Sequence, residues 1–187
     1  MDAATERPYT GAFSAFLAGL QAGMLGVLWM LAWMGTSSAW QGRSFWTPEN
    51  LMASAFHPHS AIRGIFAASS LSGLALYLVL YSLLGALFAS AIRDRLPRLR
   101  AVLAGAVFGL CWYYLTFQLL WKNLLPLVAS LHVEHSTILG HLLYGAILGR
   151  FPVYLPATHP LVASVAEPET VPAEPVSGET QAEGPGQ

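Results

Sequence analysis

"SSLSGLALYLVLYSLLGALFASAIRDRLPRLR", residues 69–100, decides the fold. Its first 24 residues, Ser69 to Ile92, carry no charge. A helix of that length crosses a hydrocarbon layer about 30 Å thick, at about 1.5 Å per residue. The run stops at "RDRLPRLR", where Arg93, Arg95, Arg98 and Arg100 crowd into eight residues. An uncharged run closed by a basic turn is the pattern of a membrane helix with its orienting signal.

Working outward, two more stretches repeat the pattern. "FSAFLAGLQAGMLGVLWMLAWM" (Phe13 to Met34) and "AVLAGAVFGLCWYYLTFQLLW" (Ala101 to Trp121) are both uncharged and long enough to span. A fourth stretch is shorter. Thr137 to Gly149 holds 13 uncharged residues, and a start near His135 lengthens it. The expected fold is an all-α integral membrane protein, a four-transmembrane-helix bundle with helices at about 13–34, 69–92, 101–121 and 135–150. The membrane domain covers 13–155 and follows a cytoplasmic segment, 1–12. From 156 the chain changes character: Glu167, Glu169, Glu174, Glu179 and Glu183 stand among prolines, with no Lys or Arg. That composition predicts a disordered tail over 156–187.

Composition agrees. Of 187 residues 55% are hydrophobic and 10% charged, and mean hydropathy is +0.51. Soluble domains carry roughly 25% charged residues, so the lipid bilayer is the expected solvent and first partner. A net charge of −1 leaves no broad basic field, which argues against nucleic acid. The single cysteine, Cys111, allows neither an internal disulfide nor a CxxC site. "SSA" at Ser37 to Ala39 looks like a signal cleavage site, but the apolar run before it exceeds the usual length of about 7–15 residues. An uncleaved first helix is expected.

With "RDRLPRLR" on the cytoplasmic side, Arg7, the four clustered arginines and Arg150 lie inside, against Arg43, Arg63 and Lys122 outside. That bias predicts N-in/C-in threading. The first external loop, 35–68, is long. "TPENLMASAFHPH" within it predicts a short helix, with Thr47 as N-cap, Pro48 at its first position and Glu49 in its first turn. Leu51, Met52, Ala55 and Phe56 fall on one face, and Trp40, Phe45 and Trp46 stand just before it. The expectation is a helix lying at the membrane surface, or alternatively a cap on the bundle.

The chain also echoes itself. "AFLAGLQAG" (15–23) matches "AVLAGAVFG" (101–109), and "YSLLGALFA" (81–89) matches "HLLYGAILG" (141–149). Gly19 then pairs with Gly105, Gly23 with Gly109, Gly85 with Gly145, Ala89 with Gly149 and Tyr81 with His141. This suggests two repeated helix hairpins related by an axis along the membrane normal. Small residues four apart also allow close helix packing, within the chain or in a homodimer.

Polar residues that could carry function are few. His141 lies within the fourth helix, with Gln21, Gln118, Thr116, Tyr113 and Tyr114 as possible partners. Its alternatives are an interhelical hydrogen bond or a ligand-binding position. Lys122 reads as a snorkelling lysine beside Trp121, or as an attractor of anions. His57, His59, His132 and His135 all fall on the outer side and could hold a metal or haem, although neither HPH nor HVEH is a metal spacing in isolation. No span carries Asp or Glu, and no GxSxG, HExxH or P-loop pattern occurs. No cofactor is expected, and no enzyme.

"FWTPENLMASAF", "GLALYLVLYSLLGALFA", "GLCWYYLTFQLLWKNLLPLV" and "GHLLYGAILGR" together resemble a group of uncharacterised bacterial four-helix membrane proteins. Those share a "PNLLAS"-type loop, an Arg-rich turn, a "WYY…W" helix and a closing "HLxYGxxLG". The likeness covers most of residues 13–150, with "PEN" in place of "PN". More loosely, the first and last helices are similar to YagU-like inner-membrane proteins. The resemblance implies a bacterial inner (plasma) membrane and brings no catalytic residues. The leading expectation is a non-catalytic packing or assembly subunit, in a homo-oligomer or a larger membrane complex. The alternatives are a small transport or ligand-binding bundle around His141, and metal or haem binding through the external histidines.

Overall fold

The computed structural model describes residues 11–155, and every regular element among them is helical. Segment 1–10 and the tail at 156–187 lie outside the described residues. Six helices follow in order: α1 (Ala12–Trp40), α2 (Thr47–Ala53), α3 (Ala68–Ile92), α4 (Arg98–Leu124), α5 (Pro126–Leu131) and α6 (Glu134–Leu148). Short 3₁₀ turns stand at Pro58–Ile62, Arg93–Arg95 and Phe151–Tyr154. Three helices, α1, α3 and α4, are long and apolar enough to cross a membrane. The fourth expected span, α6, has 15 residues, which at about 1.5 Å each falls short of a full crossing.

Helix ends differ from the apolar runs where local chemistry extends them. α1 runs six residues past Met34, and in that extension the Thr36 hydroxyl donates to the Ala32 carbonyl (2.7 Å) and the Gln41 side-chain amide donates to the Ser37 carbonyl (3.0 Å). α3 stops at Arg93, whose φ of +37° breaks the helix. Arg95 Nη1 then donates to the Ala91 carbonyl at 2.8 Å, a basic side chain on a carbonyl left open by the helix end. Within α4, residues Tyr114–Trp121 form a π-helix. Such wide turns are rare and often stand at functional positions.

Glycine sets the helix packing. A Cβ built on Gly19 would sit 2.5 Å from the Gly85 carbonyl oxygen, and one on Gly23 would sit 2.7 Å from that of Tyr81. In the other pair, a Cβ on Gly105 would collide with the Gly145 carbonyl, and one on Gly109 with that of His141. α1 thus lies main chain to main chain on α3, and α4 on α6. α1 also packs along α6, with Gly26 against the Tyr144 ring and the Trp33 indole donating to the Ser136 carbonyl (3.1 Å). α3 and α4 meet through side chains, Phe88 on Phe108 with centroids 5.1 Å apart. The core between them holds Val27, Met30, Tyr81, Tyr144, Leu148 and Phe151, all buried.

The loop helix departs from the surface placement. All seven residues of α2 are buried, so it exposes no apolar face to lipid and serves as a cap packed into the bundle. Gly73 of α3 permits this, because any side chain there would collide with the Glu49 carbonyl. The N-cap is Trp46, not Thr47, whose hydroxyl instead donates to the Ser44 carbonyl at 2.6 Å. Asn50 fastens the loop. Its amide donates to the carbonyls of Arg63 (3.0 Å) and Ile65 (3.1 Å), and its side-chain oxygen accepts from the Ser70 hydroxyl of α3 (2.5 Å).

Candidate functional site

Two buried polar clusters stand out. The first centres on His141, which has 0% exposure. Its Nδ1 lies 2.8 Å from the Thr137 carbonyl oxygen and its Nε2 lies 2.7 Å from the Tyr81 hydroxyl. A carbonyl only accepts, so Nδ1 carries the proton. In the neutral ring Nε2 then accepts from the Tyr81 O–H. The Tyr144 hydroxyl donates to the Tyr81 main-chain carbonyl (2.7 Å). The Trp112 indole N–H is buried with no hydrogen-bond partner among the described residues. Tyr113 and Phe117 meet the imidazole edge-on, with centroids 5.5 and 5.8 Å away. Both ring nitrogens are occupied and no face is open.

The partner of His141 is therefore Tyr81, from α3. Of the polar residues named beside it in sequence, Tyr113 meets the imidazole edge-on and the others go elsewhere. Gln21 and Gln118 are exposed on the outside of the bundle. Thr116 spends its hydroxyl on the Trp112 carbonyl of its own helix (2.8 Å), and Tyr114 is exposed. Lys122 is exposed at the end of α4. Tyr81 and His141 occupy matched positions in the sequence echo, and their side chains meet in the folded chain.

His57, His59, His132 and His135 separate. His57 and His59 are exposed in the turn after α2, and His135 is exposed at the start of α6. His132 is half-buried, with its ring against Phe117 at 4.5 Å and Nδ1 2.6 Å from the Ala129 carbonyl oxygen. Among the described residues no three His, Cys, Asp or Glu side chains gather as a metal set.

The second cluster was missed in sequence. Glu49 is 2% exposed, and its Oε2 finds no hydrogen-bond partner among the described residues. Burial pushes its carboxyl up to about 7, with its own main chain pulling weakly the other way. The acid absent from the spans is thus delivered into the protein by a loop, against α3 near Tyr77. The sequence places Glu49 in the first turn of the loop helix, and helix position alone does not reveal burial.

A family model described as "Family of unknown function (DUF6789)" matches residues 13–161. The chain belongs to that family. No curated protein and no solved structure matches it. The span shared with the DUF6789 family contains both polar clusters, both glycine seams and the arginine turn.

Proposed function

We propose that this DUF6789 member is a non-catalytic assembly subunit of a bacterial inner membrane, threaded N-in/C-in. Its four spans are α1, α3, α4 and α6, arranged as two repeated hairpins. α6 completes its crossing with the turns that flank it. The six-to-three bias of Lys and Arg supports the orientation. The matched glycine contacts of the two helix pairs support the repeat.

The observation that carries the reading is the closed interior. His141 is fully enclosed and hydrogen-bonded on both nitrogens, so the buried histidine of the α4–α6 pair is used for packing. The glycines of both seams are likewise spent inside the chain. Apolar walls remain for a partner on α1, α3 and α4, and the α4 wall, where Leu103, Val107, Cys111, Tyr114 and Leu119 are exposed, carries the single cysteine. In a bilayer such a wall meets lipid or another helix.

The single cysteine tests this. Copper-catalysed oxidation in native membranes is expected to give a Cys111-dependent cross-linked species, absent from Cys111→Ser. A chain that stays monomeric in membranes, and moves a solute across liposomes in a His141-dependent manner, overturns the reading.

A further inference from the structure

A groove of about 360 Å³ lies between the start of α4 and the turn that follows α6, lined by Arg98, Leu99, Val102, Arg150, Pro152 and Val153 beside Gly149. We propose that this groove binds an anionic phospholipid, with Arg98 and Arg150 holding its phosphate and the apolar floor taking the start of an acyl chain.

Three observations carry it. The lining holds two arginines and no acid, and neither guanidinium has a hydrogen bond or ion pair with a described residue. Arginine pairs with phosphate through parallel N–H donors, and two guanidiniums over one groove, without a partner among the described residues, suit that anion. Next, the floor is apolar and open: Leu99 is 73% exposed and Val153 62% exposed. A free phosphate ion has no use for such a floor, whereas a lipid has both parts. Finally, the groove is held in place by the fold. A Cβ at Gly149 would collide with Ala101 and Val102 of α4, and the buried Phe151 packs edge-on against Phe88 (6.3 Å), fixing Arg150 and Val153 on either side of it. Basic pockets between helix ends at the membrane edge are where lipid head groups bind.

The inference needs the chain to sit in a bilayer. It does not need the assembly reading, which the Cys111 cross-link reports separately. The test uses the full chain, delipidated in a neutral detergent, with its thermal midpoint followed during titration. The probes are short-chain phosphatidylglycerol, phosphatidylcholine of the same chains, and glycerol 3-phosphate. Phosphatidylglycerol is expected to raise the midpoint and the other two are not. Arg98→Gln/Arg150→Gln should need roughly 30-fold more phosphatidylglycerol for the same shift. Arg98→Lys/Arg150→Lys keeps both charges but loses the parallel donors, and should fall between the native chain and the double Gln variant, whereas Arg63→Gln should behave as the native chain. A double Gln variant that responds like the native chain overturns the proposal. So does an equal response to phosphatidylcholine, which would mean only a better solvent. An equal response to glycerol 3-phosphate overturns it in favour of a soluble phosphate compound.

Discussion

The α1–α3 seam and the α4–α6 seam make the same contacts with different surroundings. In each, a glycine pair on one helix lies on the carbonyls of the other: Gly19 and Gly23 on Gly85 and Tyr81, Gly105 and Gly109 on Gly145 and His141. Around the first seam, α1 also packs on α6 and α3 carries the α2 cap, while the far faces of both helices stay exposed at residues such as Trp29 and Leu87. Around the second, α4 forms an outer wall and changes to π-helix over Tyr114–Trp121. The difference teaches that the seams build the bundle, while the residues beside them decide what each half is for. Glycine contacts are insensitive to surroundings because main chain meets main chain. The matched side chains Tyr81 and His141 instead meet each other and join the halves.

The largest effect should come from filling a seam. Gly85→Val and Gly145→Val each place a branched side chain against a carbonyl that cannot move, and should cost about 3 kcal/mol or more. Thermal unfolding in detergent checks this. Equal losses uphold the equivalence of the seams, and a loss confined to one breaks it.

Next in size is the carboxyl that only the first half carries. The folded chain binds the Glu49 proton more tightly than the unfolded chain, so the cap loses stability as pH rises from 4.5 to about 7. The full cost, about 3 kcal/mol, is present above that window. Glu49→Gln should remove this dependence, matching the native chain at pH near 4 and exceeding it at pH near 8. Hydrogen exchange of amides 47–63 reads the cap directly, and an unchanged pH profile would show that the carboxyl finds water.

The join between halves comes third. Tyr81→Phe leaves His141 Nε2 unpaired, and His141→Phe leaves the Tyr81 hydroxyl unpaired. Each should cost about 1–2 kcal/mol, with the double variant costing less than the sum. Additive losses would mean that the two groups do not act as a pair.

The smallest effect belongs to the exposed histidines. His57→Ala/His59→Ala, and added zinc or chelator, should leave the unfolding midpoint within error. A zinc-dependent rise would give the outer turn a role that its geometry does not supply.

Residue order by itself determined the helical class, the long apolar helices and the small-residue ridges. An uncharged run has one stable home in lipid, and glycine spacing is local information. The His141 site was half legible: of the expected neighbours Gln21, Thr116, Gln118, Tyr113 and Tyr114, only Tyr113 meets the imidazole, and the hydrogen-bond partner is the matched Tyr81. Tertiary structure alone decided that Tyr81 reaches it, that α2 folds into the bundle on Gly73, and that Glu49 is buried while Gln21 and Gln118 face outward. It also decided the π-helix, which no feature of the apolar pattern marks. These depend on which faces meet across separate helices, and a burial or a hydrogen bond between residues sixty positions apart is a property of the packing, not of either segment.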